Sequence, residues 1–167
     1  MTDTFNHGER RTMWERLARL QGESTYRTPT EGRSTRSAHV PAAHQLAQAL
    51  SYARQNPGDV GPDIAYDIVC QTTAYAVRVG RAVAAAMAAD RNRSARRCKP
   101  YMRIIVWAAY LRVTKDEVHD QLRPAEVTEQ DWLLLTEGAA RILWVLAEEA
   151  VMRAERAYWE RGERRVA

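Results

Sequence analysis

The chain has 167 residues, of which 46% are hydrophobic, enough for one modest core and too apolar for a disordered tail. Its formal net charge of +4 is unevenly placed: residues 1–57 carry +3, residues 58–115 carry +6 and residues 116–167 carry −5, which implies two surfaces suited to different partners. No apolar run approaches the ~20 residues that cross a bilayer, the start lacks a signal-peptide core, and Cys70 and Cys98 form neither a metal motif nor a disulfide framework, so a soluble, cytoplasmic chain is expected.

Helix formers and Ala dominate, and apolar residues seldom alternate with polar ones. The expected fold is all-α: a compact bundle of about five or six helices, containing a helix-turn-helix-like pair and preceded by a flexible N-terminal arm. Two regions are expected, an N-terminal helix and linker over 1–40 and a helical domain over 41–167. Residues 9–21 carry Met13, Leu17 and Leu20 on one helical face, with Gly22 placed to end it; a helix this short must dock on something to persist. Residues 22–40 are rich in Ser, Thr and Gly and lack apolar periodicity, as in a linker. Pro41 opens a helix with Leu46, Leu50 and Ala53 on one side, stopped by Asn56-Pro57-Gly58.

Gly61-Pro62-Asp63 predicts the start of a long helix to about Ala89, striped by Ile64, Ile68, Tyr75, Val79, Val83 and Met87. Asp90–Lys99 reads as a hinge-like basic loop. Pro100 then opens a helix whose body, Tyr101–Val113, is apolar almost all round and belongs in the bundle centre. Thr114-x-x-Glu117 has the form of a capping box, predicting a new short helix to about Arg123. Thr128-x-x-Asp131 marks the start of a last helix over Glu129–Arg161, with Leu135, Ala139, Ile142, Leu143, Leu146, Ala150 and Ala157 as its buried stripe and an acidic outer side. Trp107, Trp132 and Trp144 are expected to fill core. Cys98, among Arg96, Arg97 and Lys99, is expected to be an incidental exposed thiol.

Charge carries the functional signal. Ten basic residues lie between 78 and 115 with Asp90 as the one acid among Arg78–Lys115, and six of the ten fall between Arg91 and Arg103. All but Lys99 and Lys115 of the chain's 25 cations are arginines, whose planar fork suits phosphate. The candidate nucleic-acid contacts are Arg91, Arg93, Arg96, Arg97, Lys99, Arg103, Arg112, Lys115, His119 and Gln121. The expected division of labour has the arginines neutralising the backbone while Lys115, Asp116, His119, Gln121 and Arg123 present polar groups to base edges. There is no phosphate-binding glycine loop, zinc motif or nucleophile elbow, and His119, Asp120 and Asp116 are too few for a metal. No enzyme activity, metal or cofactor is therefore expected.

The segment Ala108-Ala109-Tyr110-Leu111-Arg112-Val113-Thr114-Lys115-Asp116-Glu117-Val118-His119-Asp120-Gln121-Leu122 resembles A-x-x-L-G-V-S-x-x-T-V-x-x-x-L, the core of many DNA-binding helix-turn-helix units. Ala108 stands at the helix crossing, Leu111, Val113, Val118 and Leu122 at the locking positions, and Arg112 where Gly is usual. With the size and the Arg-rich loop, residues 91–123 resemble small phage-type transcription regulators, nearest in character to antiterminators of the Q or AlpA kind. That resemblance implies binding of double-stranded DNA near a promoter, followed by loading onto RNA polymerase, with the helix Glu129–Arg161 or the N-terminal arm facing polymerase. The competing expectation is a helical protein-interaction inhibitor that competes with nucleic acid or mimics it.

Overall fold

The structure, a computed structural model, describes residues 15–16, 47–48 and 50–166, and of residues 158–159 and 161–166 the backbone alone. Five α-helices succeed one another from residue 61: α1 (Gly61–Cys70), α2 (Ala76–Ala88), α3 (Arg93–Arg97), α4 (Met102–Lys115) and α5 (Glu129–Val166). Short 3-10 turns occupy Lys99–Tyr101 and Asp120–Leu122. No strand occurs among the described residues, so the all-α bundle expected from composition is the fold found. None of the described helices is long and apolar enough to cross a membrane.

The bundle is organised around α4. Apolar over most of its circumference, it packs against α1, α2 and α5 at once, burying Met102, Ile105, Val106, Ala108, Ala109, Tyr110 and Val113 and leaving Arg103, Trp107 and Lys115 exposed. Helix α5 lies along α1 and α4 and meets them with Leu135, Ala139, Leu143, Ala147, Ala150, Val151 and Ala154. Four of those seven are alanines, which lets the helix axes approach closely. At Gly61 the approach is close: an added Cβ would stand 2.8 Å from the Leu146 carbonyl oxygen. Ion pairs reinforce this corner. Arg153 of α5 reaches Asp59 Oδ2 at 2.9 Å and the Ala53 carbonyl at 3.0 Å, while Arg54 and Arg78 both engage the buried Asp63.

The start of α5 is where the sequence places it. Thr128 Oγ1 accepts from the Asp131 amide at 3.2 Å, capping the helix N-terminus, and donates to Asp131 Oδ2 at 2.9 Å. Ile142, expected in the buried stripe, instead faces out at 37% exposure, because the face of α5 turned to α1 and α4 is claimed by its small residues.

The single long helix expected from Gly61 to Ala89 is two. Helix α1 ends at Cys70, with Gln71 in the left-handed conformation at φ 53°. The Asp67 carboxylate causes the break: it accepts from Thr72 Oγ1 at 2.6 Å and from the amides of Ala74 and Tyr75 at 3.1 and 2.9 Å. These amides lie in the turn that leads into α2, so Asp67 satisfies donors that have no partner within either helix. The Tyr110 hydroxyl of α4 donates to the same carboxylate. Tyr75 thereby leaves the core stripe, while Val79, Val83 and Met87 remain in it.

The helix-turn-helix-like pair expected over 100–123 is absent. Helix α4 runs straight through Arg112, Val113 and Thr114 to Lys115. Thr114 is buried and its Oγ1 donates back to the Tyr110 carbonyl at 2.8 Å, so it caps nothing. The physical reason lies at Arg112. A bulky residue resists φ > 0, nothing in Leu111–Lys115 breaks a helix, and the left-handed residue comes four positions later, at Asp116 with φ 61°, a residue type that tolerates it. Between Asp116 and Thr128 the chain is irregular apart from one 3-10 turn, with Val118 65% exposed rather than locked between helices.

The expected linker 22–40 and most of the expected helix 9–21 lie outside the described residues. Residues 15 and 16 are helical, and the Arg16 guanidinium forks onto the Glu155 carboxylate of α5 at 2.8 and 2.5 Å. Of the helix expected after Pro41, residues 47–48 and 50–51 are helical and Leu50 and Ala53 are buried.

Candidate nucleic-acid interface

The basic stretch expected to be a loop is a short helix with a defined cap. Asp90 Oδ1 accepts from the Asn92 amide at 3.1 Å, and Asn92 Oδ1 accepts from the Ser94 amide at 2.9 Å, which starts α3. Ala95 and Cys98 turn inward and are each only 2% exposed. With those two positions anchored in the core, helical geometry throws Arg93, Arg96 and Arg97 outward. The 3-10 turn carries Lys99 out as well, and Arg103 comes next on the exposed side of α4. With Arg91 exposed just ahead of them, the stretch from Arg91 to Arg103 is a cationic ledge of exposed side chains.

One member of that ledge is committed internally. Arg97 Nη2 donates to Asp131 Oδ2 at 2.5 Å, joining α3 to the first turn of α5. Hydrogen bonds from Ser94, then Thr128 and Arg97, hold the Asp131 carboxyl below the usual carboxylate range. Among the described residues, no ion pair engages Arg91, Arg93, Arg96, Lys99 or Arg103, and all five are exposed. Cys98, expected at the surface, is buried behind them. Desolvation pushes its thiol pKa up, the reverse of what its basic neighbours alone would do.

The remaining candidates sit elsewhere. At 1.5 Å of rise per residue, Lys115 lies about 18 Å along α4 from Arg103. Beyond it His119 Nε2 pairs with Glu117 Oε2 at 2.9 Å, and Gln121 Nε2 lies 2.9 Å from His119 Nδ1. Trp132 Nε1 donates to Asp120 Oδ1 at 3.2 Å, tying this segment to α5. Arg112 is half-buried. Lys115 ends α4 while His119 and Gln121 lie beyond it outside any α-helix, so no single helix carries the three, and Asp116, Glu117 and Asp120 stand among them.

A feature beside the ledge escaped the sequence. Between α2 and α4 runs a groove of about 180 Å³ lined by Ala76, Val77, Gly80, Arg81, Arg103, Trp107 and Tyr110. Trp107, expected in the core, is 39% exposed here, while Trp132 and Trp144 are buried as expected. The Trp107 indole lies nearly parallel to the Tyr110 ring, with centroids 6.2 Å apart and planes 14° from each other. Tyr110 is itself fixed by its bond to Asp67, and burial drives its pKa strongly upward, so it stays a neutral donor. Arg103 belongs to both groove and ledge, and Arg81 extends the positive surface onto α2. The arginines at 81 and 103 were visible in sequence as charge. Their meeting at an aromatic wall depends on how α2 packs on α4.

No protein-family model matches this chain, and no curated protein or solved structure matches it.

Proposed function

We propose that this protein is a DNA-binding regulator of transcription that grips the phosphate backbone through the ledge Arg91, Arg93, Arg96, Lys99 and Arg103. The observation that carries the reading is that these five cations are all exposed within one short stretch, α3 and the start of α4, and none is consumed by an ion pair among the described residues. Solubility alone does not call for such a concentration, and polyanion binding does. Recognition is of backbone and shape rather than of base edges, because the segment 116–123 offers no reading helix.

Salt dependence supplies the test. Five phosphate contacts release enough counterions to give a slope of log K against log salt of about −4.5 on duplex DNA. Replacing Arg91, Arg93 and Arg96 with Ala should bring it to about −2, and replacing Gln121 should leave both affinity and sequence preference unchanged. Fluorescence anisotropy on a labelled duplex, titrated at several salt concentrations, reads both. Absence of saturable binding at low salt, or a triple variant that binds like the parent, defeats the proposal.

A protein partner is the second reading, favoured by one observation. Leu134, Ile142, Val145 and Met152 are all exposed on α5 at spacings that bring them to one side of the helix. Loading onto RNA polymerase, the step implied by the resemblance to antiterminators, would fall to this side, opposite in charge to the ledge. Co-elution with purified polymerase, lost when Val145 and Met152 become Ser, tests it.

A further inference from the structure

The groove between α2 and α4 has a chemistry that the ledge lacks. An anion-binding surface needs only cations, yet this groove is lined by a partly exposed indole and two arginines, together with Ala76, Gly80 and Tyr110. Exposing a Trp side chain that could have been buried forgoes apolar burial. Here Tyr110 braces the ring from within the core, so its orientation is held. At Gly80 an added Cβ would meet nothing within 4 Å, which leaves the floor open. The groove also continues into the ledge, because Arg103 stands one helical turn beyond Lys99.

We propose that this groove seats an unpaired base of a single-stranded polynucleotide, stacked on Trp107, with the flanking phosphates on Arg81 and Arg103. The assignment rests on the backbone-gripping function above and names its substrate class: a strand separated from its complement, as at an open stretch of duplex. Charge complementarity favours this occupant over an apolar peptide, which would leave both guanidiniums beside it without counter-charge. The flat ring favours it over a bare phosphate, which has no use for an aromatic face. Stacking on an aromatic side chain tolerates any base, consistent with a protein that reads backbone rather than sequence.

The full chain is titrated by anisotropy into a labelled 12-residue oligothymidylate and, separately, into a 12-base-pair duplex, at one salt concentration. Trp107→Leu is expected to weaken binding of the single strand by about 10-fold and to leave duplex binding unchanged, while Trp107→Phe retains most of the single-strand affinity. Gly80→Leu, which fills the groove and improves helix propensity, should give the same selective loss with no fall in melting temperature. The proposal is overturned if Trp107→Leu and Gly80→Leu both bind the oligothymidylate as the parent does, or if Trp107→Phe loses as much as Trp107→Leu. Intact duplex binding in that case leaves the ledge reading standing, whereas a parent chain that binds neither probe removes both.

Discussion

Replacing Tyr110 with Phe isolates a hydrogen bond between the groove-lining Tyr110 and the buried Asp67. Asp67 is wholly buried and accepts four hydrogen bonds, from the Tyr110 hydroxyl, Thr72 Oγ1 and the amides of Ala74 and Tyr75. Phe keeps the ring that braces Trp107 and deletes the hydroxyl alone. A hydrogen bond to a charged group is worth about 1.5–3 kcal/mol net. Because three donors still hold the carboxylate, the loss should fall near the lower end, about 2 kcal/mol. For a chain of this length each kcal/mol moves the melting temperature by about 2–4 °C, so a fall of about 4–8 °C is expected. Urea unfolding followed by far-UV circular dichroism should show the midpoint shift with an unchanged m-value. Asp67→Ala should cost more, about 3–5 kcal/mol, since it strands several buried donors together. A Tyr110→Phe loss under about 0.5 kcal/mol would refute the idea that this bond is sheltered from water and organises the junction of α1, α2 and α4.

Close packing at Gly61 predicts that Gly61→Ala destabilises by about 1–3 kcal/mol, because the new methyl would meet the Leu146 carbonyl at 2.8 Å; Gly138→Ala, with open space around it, should instead gain about 0.5–1 kcal/mol. Equal effects of the two in chemical denaturation would contradict the close approach of α1 to α5. The Asp131 carboxyl is held below its ordinary range by Ser94, Thr128 and Arg97, so its contribution is fully present above the unfolded carboxylate pKa and disappears as pH falls through the lower folded value. Asp131→Asn should therefore lower the melting temperature at pH 7 and flatten its decline on acidification below about pH 4; a decline as steep as the parent's would remove Asp131 from the account.

Signals local to one turn of chain were legible in the sequence, and those that depended on a distant partner were not. Thr128 and Asp131 sit three apart and close their cap without help, so the start of α5 could be read directly. The apolar girdle of α4 announced its central place. The break at Cys70 could not be read, because Ile64, Ile68, Val79 and Val83 keep their spacing across it and the interruption arises from Asp67 bonding ahead to Ala74 and Tyr75 and across to Tyr110. Arg112 was the warning against a turn at 112–114: every residue there suits a helix, and a short pattern match was outweighed by the backbone cost of bending at a long side chain. At the candidate site, the charge of Arg91–Arg103 was plain in the sequence. That Ala95 and Cys98 would pin it into a ledge, that Arg97 would be spent on Asp131, and that Trp107 would emerge beside Arg81 all required the packing of α2 and α3 against their neighbours.

The concealed thiol of Cys98 has a practical corollary. Since its sulfur is covered and its ionisation suppressed, alkylating reagents can reach it only when the short arginine-bearing helix lifts from the body of the molecule. The rate of that labelling is a clock for local opening of the ledge, and an oligonucleotide that clamps the ledge should slow it without touching the sulfur itself.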